Sequence, residues 1–235
     1  MKPNVRLLCT SPDPEFFVVD AARVCYKTEK DSDSRWVPTD EAQEVLMGNG
    51  VKLGIPMVKV ELGPNDEKLL RKLLKNDHSS TLRFAYAHFH LSNMSIACMN
   101  QVTRISHAGI LVKSMRYTNV ACSPTVSPTD DEWFNEEFTK LSESADDFYS
   151  KAIEKGFKKE EARYGKLVGT ITEMHLSGNF QMFKHLLSIR LSKKVMKETL
   201  LVCIDIAKLL YKAAPIIFEN EYDKAIDLEK WLKEK

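Results

Sequence analysis

The chain has 235 residues, including 34 Lys or Arg and 33 Asp or Glu, so its formal net charge at pH 7 is +1. This balance argues against a general nucleic-acid coat protein and a polybasic membrane-surface protein, because both depend on excess positive charge. With 43% hydrophobic residues, 29% charged residues, 9 Gly and 9 Pro, the composition also excludes a disordered, collagen-like or low-complexity chain. We therefore expect one folded domain spanning residues 1–235.

The first part of the chain is predicted to combine short strands with helices. Residues 5–10 are typical of a strand, and the Ser-Pro-Asp-Pro turn that follows begins a helix over residues 15–26. Residues 27–39 are mostly polar and predict a loop, which is followed by a short helix over residues 40–47. A further helix is predicted over residues 65–75, because its leucines form one apolar stripe.

The middle of the chain contains one clear strand and one irregular segment. Residues 83–91 alternate between two faces, which predicts a strand. Asn93 is a suitable cap for a helix over residues 94–103, and residues 104–117 then lose any regular period. Residues 122–129 are rich in Ser and Pro and are predicted to be non-helical. Irregular polar segments between ordered elements often carry binding groups.

From residue 131 onward the pattern is mainly helical. Apolar residues at helical spacing predict one long helix through residues 133–149, another over residues 195–211 and a charged amphipathic helix over residues 223–235. The sequence contains no internal repeat, which favours one domain over a repeat array.

Apolar stretches are short throughout the chain. The stretch over residues 213–218 is typical, and it falls far short of the roughly 20 residues that cross a bilayer. The N-terminal residues lack the apolar region of a secretory signal, since Asp13 and Glu15 follow soon after the first strand. The sequence therefore predicts a cytoplasmic protein that binds neither membranes nor nucleic acid.

The cysteines and histidines favour no metal site. The five cysteines are Cys9, Cys25, Cys98, Cys122 and Cys203. Their odd number and wide spacing suit neither a set of disulfides nor a zinc cluster. His88 and His90 stand two residues apart on one face of a predicted strand, as a metal-binding pair would. We favour structural roles for both, because no Cys, Asp or Glu lies near them in sequence to complete a ligand set.

Arginine and serine residues in irregular or helix-end positions are the most informative feature of the sequence. They are Arg104, Ser114, Arg116, Arg163 and Arg190. A guanidinium group offers paired donors and keeps its charge, which suits a phosphate or the edge of a pyrimidine. A lone arginine is more often a surface residue in an ion pair, and spacing alone does not bring these five residues together. They are candidates for an anion-binding site.

The segment from Gln101 to Tyr117 resembles the signature of the flavin-dependent thymidylate synthases. That signature is Arg-His-Arg, seven residues, then Ser-x-Arg-Tyr. Here the segment reads Gln-Val-Thr-Arg-Ile-Ser, seven residues, then Ser-Met-Arg-Tyr from Ser114. The spacing and the end of the signature are kept, whereas its beginning is altered.

Other segments resemble the same family in the same order along the chain. They are the strand and helix of residues 5–26, the His-x-Ser element at His78, the Ala-Arg pair at Ala162, the helix of residues 179–190 and the Pro-x-x-Phe element at Pro215. Ordered matches over most of the chain are far more specific than one motif. The resemblance implies an α/β (α+β) fold in which a central, mainly antiparallel sheet is flanked by long helices.

The resemblance also implies an activity and its cofactors. Members of the family methylate dUMP reductively at C5 of uracil to give dTMP, using FAD, with methylenetetrahydrofolate as carbon donor and NADPH as reductant. They use no cysteine nucleophile, so the scattered cysteines present no difficulty. They are homotetramers whose active sites combine residues from several subunits, and we expect the same here.

Individual residues match the family's functional positions. Those that match the nucleotide-binding positions are Gln101, Arg104, Ser114, Met115, Arg116, Arg163 and Arg190. Those that match the flavin contacts are His78, Ser80, Arg104, Ile105, Ser106, Asn179, Gln181 and His185. Arg190 also matches the catalytic arginine, which stabilises negative charge at N3 and O2 of the pyrimidine.

Several positions depart from the family pattern. Ile105 and Ser106 replace the His and second Arg of the signature, Gln181 stands where Arg is usual, and Leu111, Val112, Arg83 and Phe84 replace Asn, Glu, Glu and His. Each lost charge-assisted hydrogen bond to the FAD diphosphate would cost about 1.5–3 kcal/mol. His107 is either a replacement donor or an ordinary loop histidine. Two alternatives therefore stay open: an enzyme that hydroxymethylates dUMP or modifies another pyrimidine nucleotide, and a non-catalytic nucleotide-binding homologue.

Overall fold

The computed structural model describes residues 2–38 and 58–234. The strands of this part are β1 (Asn4–Thr10), β2 (Arg35–Pro38), β3 (Val58–Glu61), β4 (Tyr86–Ser95), β5 (Gly109–Val112) and β6 (Ile171–Asn179). The α-helices are α1 (Pro14–Tyr26), α2 (Pro64–Lys75), α3 (Ile96–Val102), α4 (Glu132–Glu154), α5 (Lys159–Ala162), α6 (Phe180–Arg190), α7 (Lys197–Ala213) and α8 (Pro215–Lys233). Short 3-10 turns cover Glu29–Asp31, Ser79–Phe84 and Arg163–Gly165.

A four-stranded antiparallel sheet with the order β1-β4-β6-β5 organises the fold, and β2 pairs with β3 in a separate two-stranded sheet. In the centre, β4 pairs with β6 from Tyr86 opposite Asn179 to Ser95 opposite Ile171. The register shifts between Leu91 and Met94, where Asn93 has a positive φ of 55°. These features confirm a mixed α and β fold built around an antiparallel sheet.

One face of the sheet carries the core. Along β4, Ala87, Phe89 and Leu91 are buried, while His88 and His90 lie on the other, partly exposed face. The strand predicted over residues 83–91 is thus observed, but it begins at Tyr86 and continues to Ser95, because Arg83 and Phe84 belong to the Ser79–Phe84 turn. Met94 of β4 and Met174 and Leu176 of β6 are also fully buried. Helices contribute further large, fully buried side chains to the main core, among them Leu70, Phe180, Phe183, Leu186, Leu187 and Phe218. Full burial of one such side chain contributes about 1.5–3 kcal/mol to folding.

A smaller buried cluster lies apart from the main core. It consists of Val120, Tyr149, Ala152 and Ala162, with Met115, Ala121 and Ile153 packed against it. Lys166 extends over the Tyr149 ring at 5.7 Å and forms an ion pair with Asp146. The cluster fixes α4 and α5 to the segment around Met115.

Most of the predicted helices are confirmed. Those over residues 15–26 and 65–75 are observed with a start one residue earlier, and the one over residues 195–211 begins and ends two residues later. The strand over residues 5–10 is also observed, extended by one residue at its start. The helix predicted over residues 40–47 lies outside the described residues.

The helix predicted over residues 94–103 begins too early. The chain remains in β4 through Ser95, whose side-chain oxygen caps α3 by accepting a hydrogen bond from the Cys98 amide at 3.0 Å. The Ser95 amide in turn donates to Glu198 Oε1 at 2.7 Å. Asn93 is therefore part of the strand irregularity and does not cap the helix.

Four of the six strands in the described residues were not predicted from the sequence, and one of them, β3, lies in a segment for which no element was predicted. The predicted loop over residues 27–39 contains β2, and the irregular segment over residues 104–117 contains β5. The largest error is β6, which lies within the part predicted to be mainly helical. Its alternation of buried Thr172, Met174 and Leu176 with more exposed neighbours was a strand signal in the sequence.

Within residues 2–38 and 58–234, no helix combines the length and the apolar character that a membrane span requires.

A buried ion pair joins α1 to α2. Asp66 is fully buried and pairs with Arg23, which is also buried. Asp66 Oδ2 accepts further hydrogen bonds from the hydroxyls of Ser32 at 2.6 Å and Ser34 at 2.5 Å. Burial by itself raises the pKa of Asp66, but these hydrogen bonds and the Arg23 charge outweigh it, so the pKa lies below its ordinary value of 3.8.

Replacing Asp66→Asn is expected to lower the free energy of unfolding at pH 7 by about 3–5 kcal/mol, because Arg23 would stay buried without a counter-charge. Asp20→Asn, the same change at an exposed position of α1, is the control and should change little. Urea unfolding measures both. Since the folded-state pKa of Asp66 is lowered, its contribution is complete above pH 3.8 and is lost as the pH falls below that value. A difference from wild type that is independent of pH would contradict this assignment.

Candidate functional site

A cleft of about 820 Å³ is walled by α2, the Ser79–Phe84 turn, α6 and the loop after α3. Its apolar wall includes Leu70, Leu73, Leu82 and Met182. The volume lies within the range of about 300–1,000 Å³ that is typical of small-molecule sites. The cleft therefore has room for a large ligand.

Five of the predicted flavin-binding residues line this cleft. They are His78, Ser106, Asn179, Gln181 and His185. They come from three segments that are far apart in sequence. The apolar wall and these polar side chains together suit a ligand with a flat ring and a polar or charged tail.

Ser80 lies next to the cleft and not in it. It lines a neighbouring hollow of about 360 Å³ together with Cys25 and Tyr26 of α1. His78 borders both spaces, and its Nδ1 lies 3.2 Å from the Tyr26 hydroxyl. The His-x-Ser element therefore forms the wall between the cleft and this hollow.

The junction between β6 and α6 explains how the cleft forms. Asn179 is the last residue of β6, and its side-chain oxygen accepts a hydrogen bond from the Met182 amide at 2.9 Å, which caps α6. The Phe180 amide donates to the Ala85 carbonyl at 2.8 Å, which joins the beginning of α6 to the beginning of β4. The cap and this bond place Gln181 beside the Ser79–Phe84 turn.

The two altered residues at the beginning of the signature lie in different places: Ile105 in the core and Ser106 in the cleft. Ile105 packs against the main core, as does Val112 of β5, so neither lines the cleft. Arg104 is exposed and also lies outside the cleft wall. Ser106 and His107 do line it, and His107 has a positive φ of 62°. His107 is thus a cleft residue.

Arg190 and Gln101 are in contact. Arg190 ends α6, and its Nη2 donates to the backbone carbonyl of Gln101 in α3 at 2.8 Å. The Gln101 side chain lies 3.9 Å from the sulfur of Met196. Arg190 Nε is buried and has no hydrogen-bond partner within residues 2–38 and 58–234. A buried donor without an acceptor costs about 1–3 kcal/mol, so this N–H is an unsatisfied group of the described structure. Neither Arg190 nor Gln101 lines the cleft.

The remaining predicted nucleotide-binding residues lie with the smaller buried cluster. Met115 packs against that cluster, and Ser114 Oγ accepts a hydrogen bond from the Arg116 amide at 3.2 Å. Arg116 Nε pairs with Glu160 Oε2 of α5 at 2.5 Å, and Arg163 follows α5 as an exposed residue. None of these four residues lines the cleft.

The environment of the cysteines explains why two of them are poor nucleophiles. Burial raises the pKa of Cys98 to about 12 and also raises the pKa of Cys203. Both thiols are therefore protonated at neutral pH, and a protonated thiol attacks poorly. Cys9, Cys25 and Cys122 are exposed, and none of the three lines the cleft.

The histidines of β4 face a third histidine. His88 Nε2 lies 2.9 Å from Nδ1 of His175 in β6, and His90 Nε2 lies 3.3 Å from Glu173. Among the described residues, no group of three or more His, Cys, Asp or Glu side chains is suited to hold a metal.

Sequence reasoning missed several cleft residues. Arg83 is only a departure from the family pattern in the sequence, Ser79 is only the variable residue of the His-x-Ser element, and neither Lys184 nor Glu221 was predicted. Helical spacing was the available signal for Lys184, which lies one turn before Ser188 on the cleft face of α6. Arg83, Ser79 and Glu221 reach the cleft through contacts between segments that are distant in sequence, so no local pattern indicates them.

Comparisons with known proteins agree on one family. The model of a family described as "Thymidylate synthase complementing protein" matches residues 6–216. The chain is 26% identical over 220 residues to the flavin-dependent thymidylate synthase of Haloarcula marismortui, covering 80% of this chain and 82% of that protein. It is 24% identical over 222 residues to the flavin-dependent thymidylate synthase of Geobacter sulfurreducens, covering 92% and 86%.

Replacing Asn179→Ala is expected to lower the free energy of unfolding by about 0.5–2 kcal/mol, because α6 would lose its cap at the edge of the cleft. Asn179→Ser is the matched variant and should retain most of the stability, since its hydroxyl also accepts the bond. Urea denaturation compares the two. Equal losses in both variants would show that the cap is not the reason for the effect.

Proposed function

This chain belongs to the flavin-dependent thymidylate synthase family, and on that premise we propose that it methylates dUMP at C5 of uracil to give dTMP. The proposed cofactor is FAD, with methylenetetrahydrofolate as carbon donor and NADPH as reductant. The observation that carries this proposal is the cleft, which gathers five predicted flavin-binding residues from three distant segments.

The residues of the cleft fit a flavin dinucleotide. Leu74 offers partly exposed apolar surface in the cleft, with Leu73 and Met182 buried behind it, and His78 and Ser106 offer polar groups nearby. Such a mixture of apolar walls and few polar groups is usual for cofactor sites. When bound, the flavin supplies the reducing equivalents of the reaction.

Arg190 is the proposed catalytic residue. Its Nη2 donates to the Gln101 carbonyl at 2.8 Å, which orients the guanidinium group, and its buried Nε–H has no acceptor among the described residues. A permanent cation in this position stabilises negative charge that develops at N3 and O2 of the pyrimidine. An ammonium group has no planar fork, so lysine is a poor substitute.

Ser114, Arg116 and Arg163 are the proposed ligands of the nucleotide phosphate. They lie on the cluster that holds α5, outside the cleft of their own chain. We therefore propose that the protein is a homotetramer in which these residues serve the cleft of another subunit. Arg116 would then exchange its half-exposed pairing with Glu160 for the phosphate, a small cost because exposed ion pairs contribute about 0–1 kcal/mol.

The activity is tested by incubating the protein with FAD, NADPH, methylenetetrahydrofolate and dUMP and identifying the nucleotide product by mass spectrometry. We expect dTMP, and we expect Arg190→Ala to lower kcat by about 10²–10³-fold because a charge-stabilising donor is lost. Arg190→Lys should lose most of that activity too. Arg71→Ala, which removes a surface arginine paired with Glu67, is the control and should retain activity.

Other products would point to the alternatives. A hydroxymethyl product would establish a different C5 modification. Absence of any product, with dUMP still bound in an equilibrium titration, would identify a nucleotide-binding homologue without catalytic function.

Sharing of the active site between subunits is tested by mixing inactive variants. His78→Ala affects the cleft and Arg163→Ala affects the phosphate ligands, so each variant alone should be inactive. Co-expression should restore activity to up to about a quarter of the sites. Random assembly gives that fraction because a working site needs an unchanged cleft from one subunit and unchanged phosphate ligands from another. The control pair, His78→Ala with Gln181→Ala, changes two residues of the same cleft and should not recover. Light scattering should give the mass of a tetramer, and a monomer or an inactive mixture would contradict the shared site.

A further inference from the structure

Arg83 is a cleft residue with an unusual combination of partners. It belongs to the Ser79–Phe84 turn, and its Nε donates to the side-chain oxygen of Gln181 in α6 at 2.6 Å. The Gln181 amide nitrogen donates in turn to Ser79 Oγ at 3.1 Å. This chain of hydrogen bonds runs along the cleft wall and anchors the exposed Arg83 side chain at Nε.

The terminal nitrogens of Arg83 remain unused. Neither has a hydrogen-bond acceptor in the described part of the chain, and the side chain has no carboxylate partner there. A guanidinium group that is held by Nε presents its two Nη atoms as a fork, which matches two oxygens of a phosphate group.

The other lysine or arginine on the described cleft wall is already neutralised. Lys184 Nζ donates to Glu221 Oε2 at 2.9 Å and to the Ile217 carbonyl at 2.8 Å. Asp77 is the opposing charge, and it lies where the cleft meets the hollow beside α1. Among the described lining residues, Arg83 is thus the permanent cation that is free to bind an anion.

This contact also changes the meaning of two departures from the family pattern. Gln181 occupies a position where arginine is usual, and Arg83 occupies one where glutamate is common. Because the two side chains touch, the positive charge has moved from α6 to the facing turn and has not been lost. The cleft therefore contains a cation, Arg83, although position 181 carries no arginine.

We propose that Arg83 binds the diphosphate of a dinucleotide in the cleft, with Gln181 as the residue that positions it. The proposal deepens the proposed function, because FAD is the dinucleotide which that function requires. In this proposal, the diphosphate is bound by Arg83, which lies outside the altered signature.

The test measures equilibrium binding of FAD, ADP and riboflavin to the full-length protein and to Arg83→Gln. Loss of a charge-assisted hydrogen bond should weaken binding of FAD and ADP by about tenfold to a hundredfold. Riboflavin carries no phosphate, so its binding should be unchanged. Lys75→Gln removes the same charge from an exposed position of α2 and should leave all three affinities as in wild type.

Two further variants separate charge from structure. Gln181→Glu leaves Arg83 in place but neutralises it, so it should weaken binding of FAD and ADP as Arg83→Gln does. Asp77→Asn removes the opposing charge and should strengthen binding of both ligands. Opposite shifts of this kind are not expected from a variant that merely disturbs the fold.

The outcomes distinguish this proposal from the proposed function. Formation of dTMP together with unchanged FAD and ADP affinity in Arg83→Gln would overturn the role of Arg83 and leave the function intact. Binding of ADP that depends on Arg83, without dTMP formation by wild type, would support the anion site and overturn the function. Equal weakening of riboflavin and FAD would overturn the assignment of Arg83 to the diphosphate.

Discussion

The register between β4 and β6 is the constraint on which the cleft depends. Tyr86 is paired with Asn179, so the beginning of β4 lies beside the end of β6. Because side chains alternate with a period of two, a slip of one residue would turn the buried face of either strand outward. The same register allows the Phe180 amide to bond to the Ala85 carbonyl, and α6 therefore begins beside the Ser79–Phe84 turn. Backbone hydrogen bonds alone therefore place the two segments of the cleft wall side by side.

The chain divides its candidate functional groups between two places. The cleft is built on the main core, whereas Ser114, Arg116 and Arg163 are associated with the smaller cluster around Tyr149. Arg190 belongs to neither group, because it ends the helix that walls the cleft but donates to the Gln101 carbonyl of α3. The proposed cofactor site and the proposed anion ligands thus lie in different parts of the chain, which is the physical basis for proposing assembly into a tetramer.

The structural effect of a departure from the family signature depends on what the new side chain contacts. Ile105 joins the core, so its replacement of a polar residue is compensated by apolar burial. Gln181 is neutral where arginine is usual, but it contacts Arg83, which is positively charged. Taken one residue at a time, both substitutions would weaken the proposed flavin site. Taken with its neighbour, Gln181 contacts a cation on the facing turn, which is the basis for the proposed role of Arg83.

The sequence by itself determined α1, α2, β4 and the family resemblance, because helical stripes, strand alternation and motif spacing are local properties. It also supplied five residues of the cleft, although not their proximity. Only the tertiary structure decided that residues 171–179 form a central strand, that Ser95 and not Asn93 caps α3, and that Arg83 contacts Gln181. Each of these depends on pairing between segments that are distant in sequence, and no local pattern specifies which partner a segment will meet.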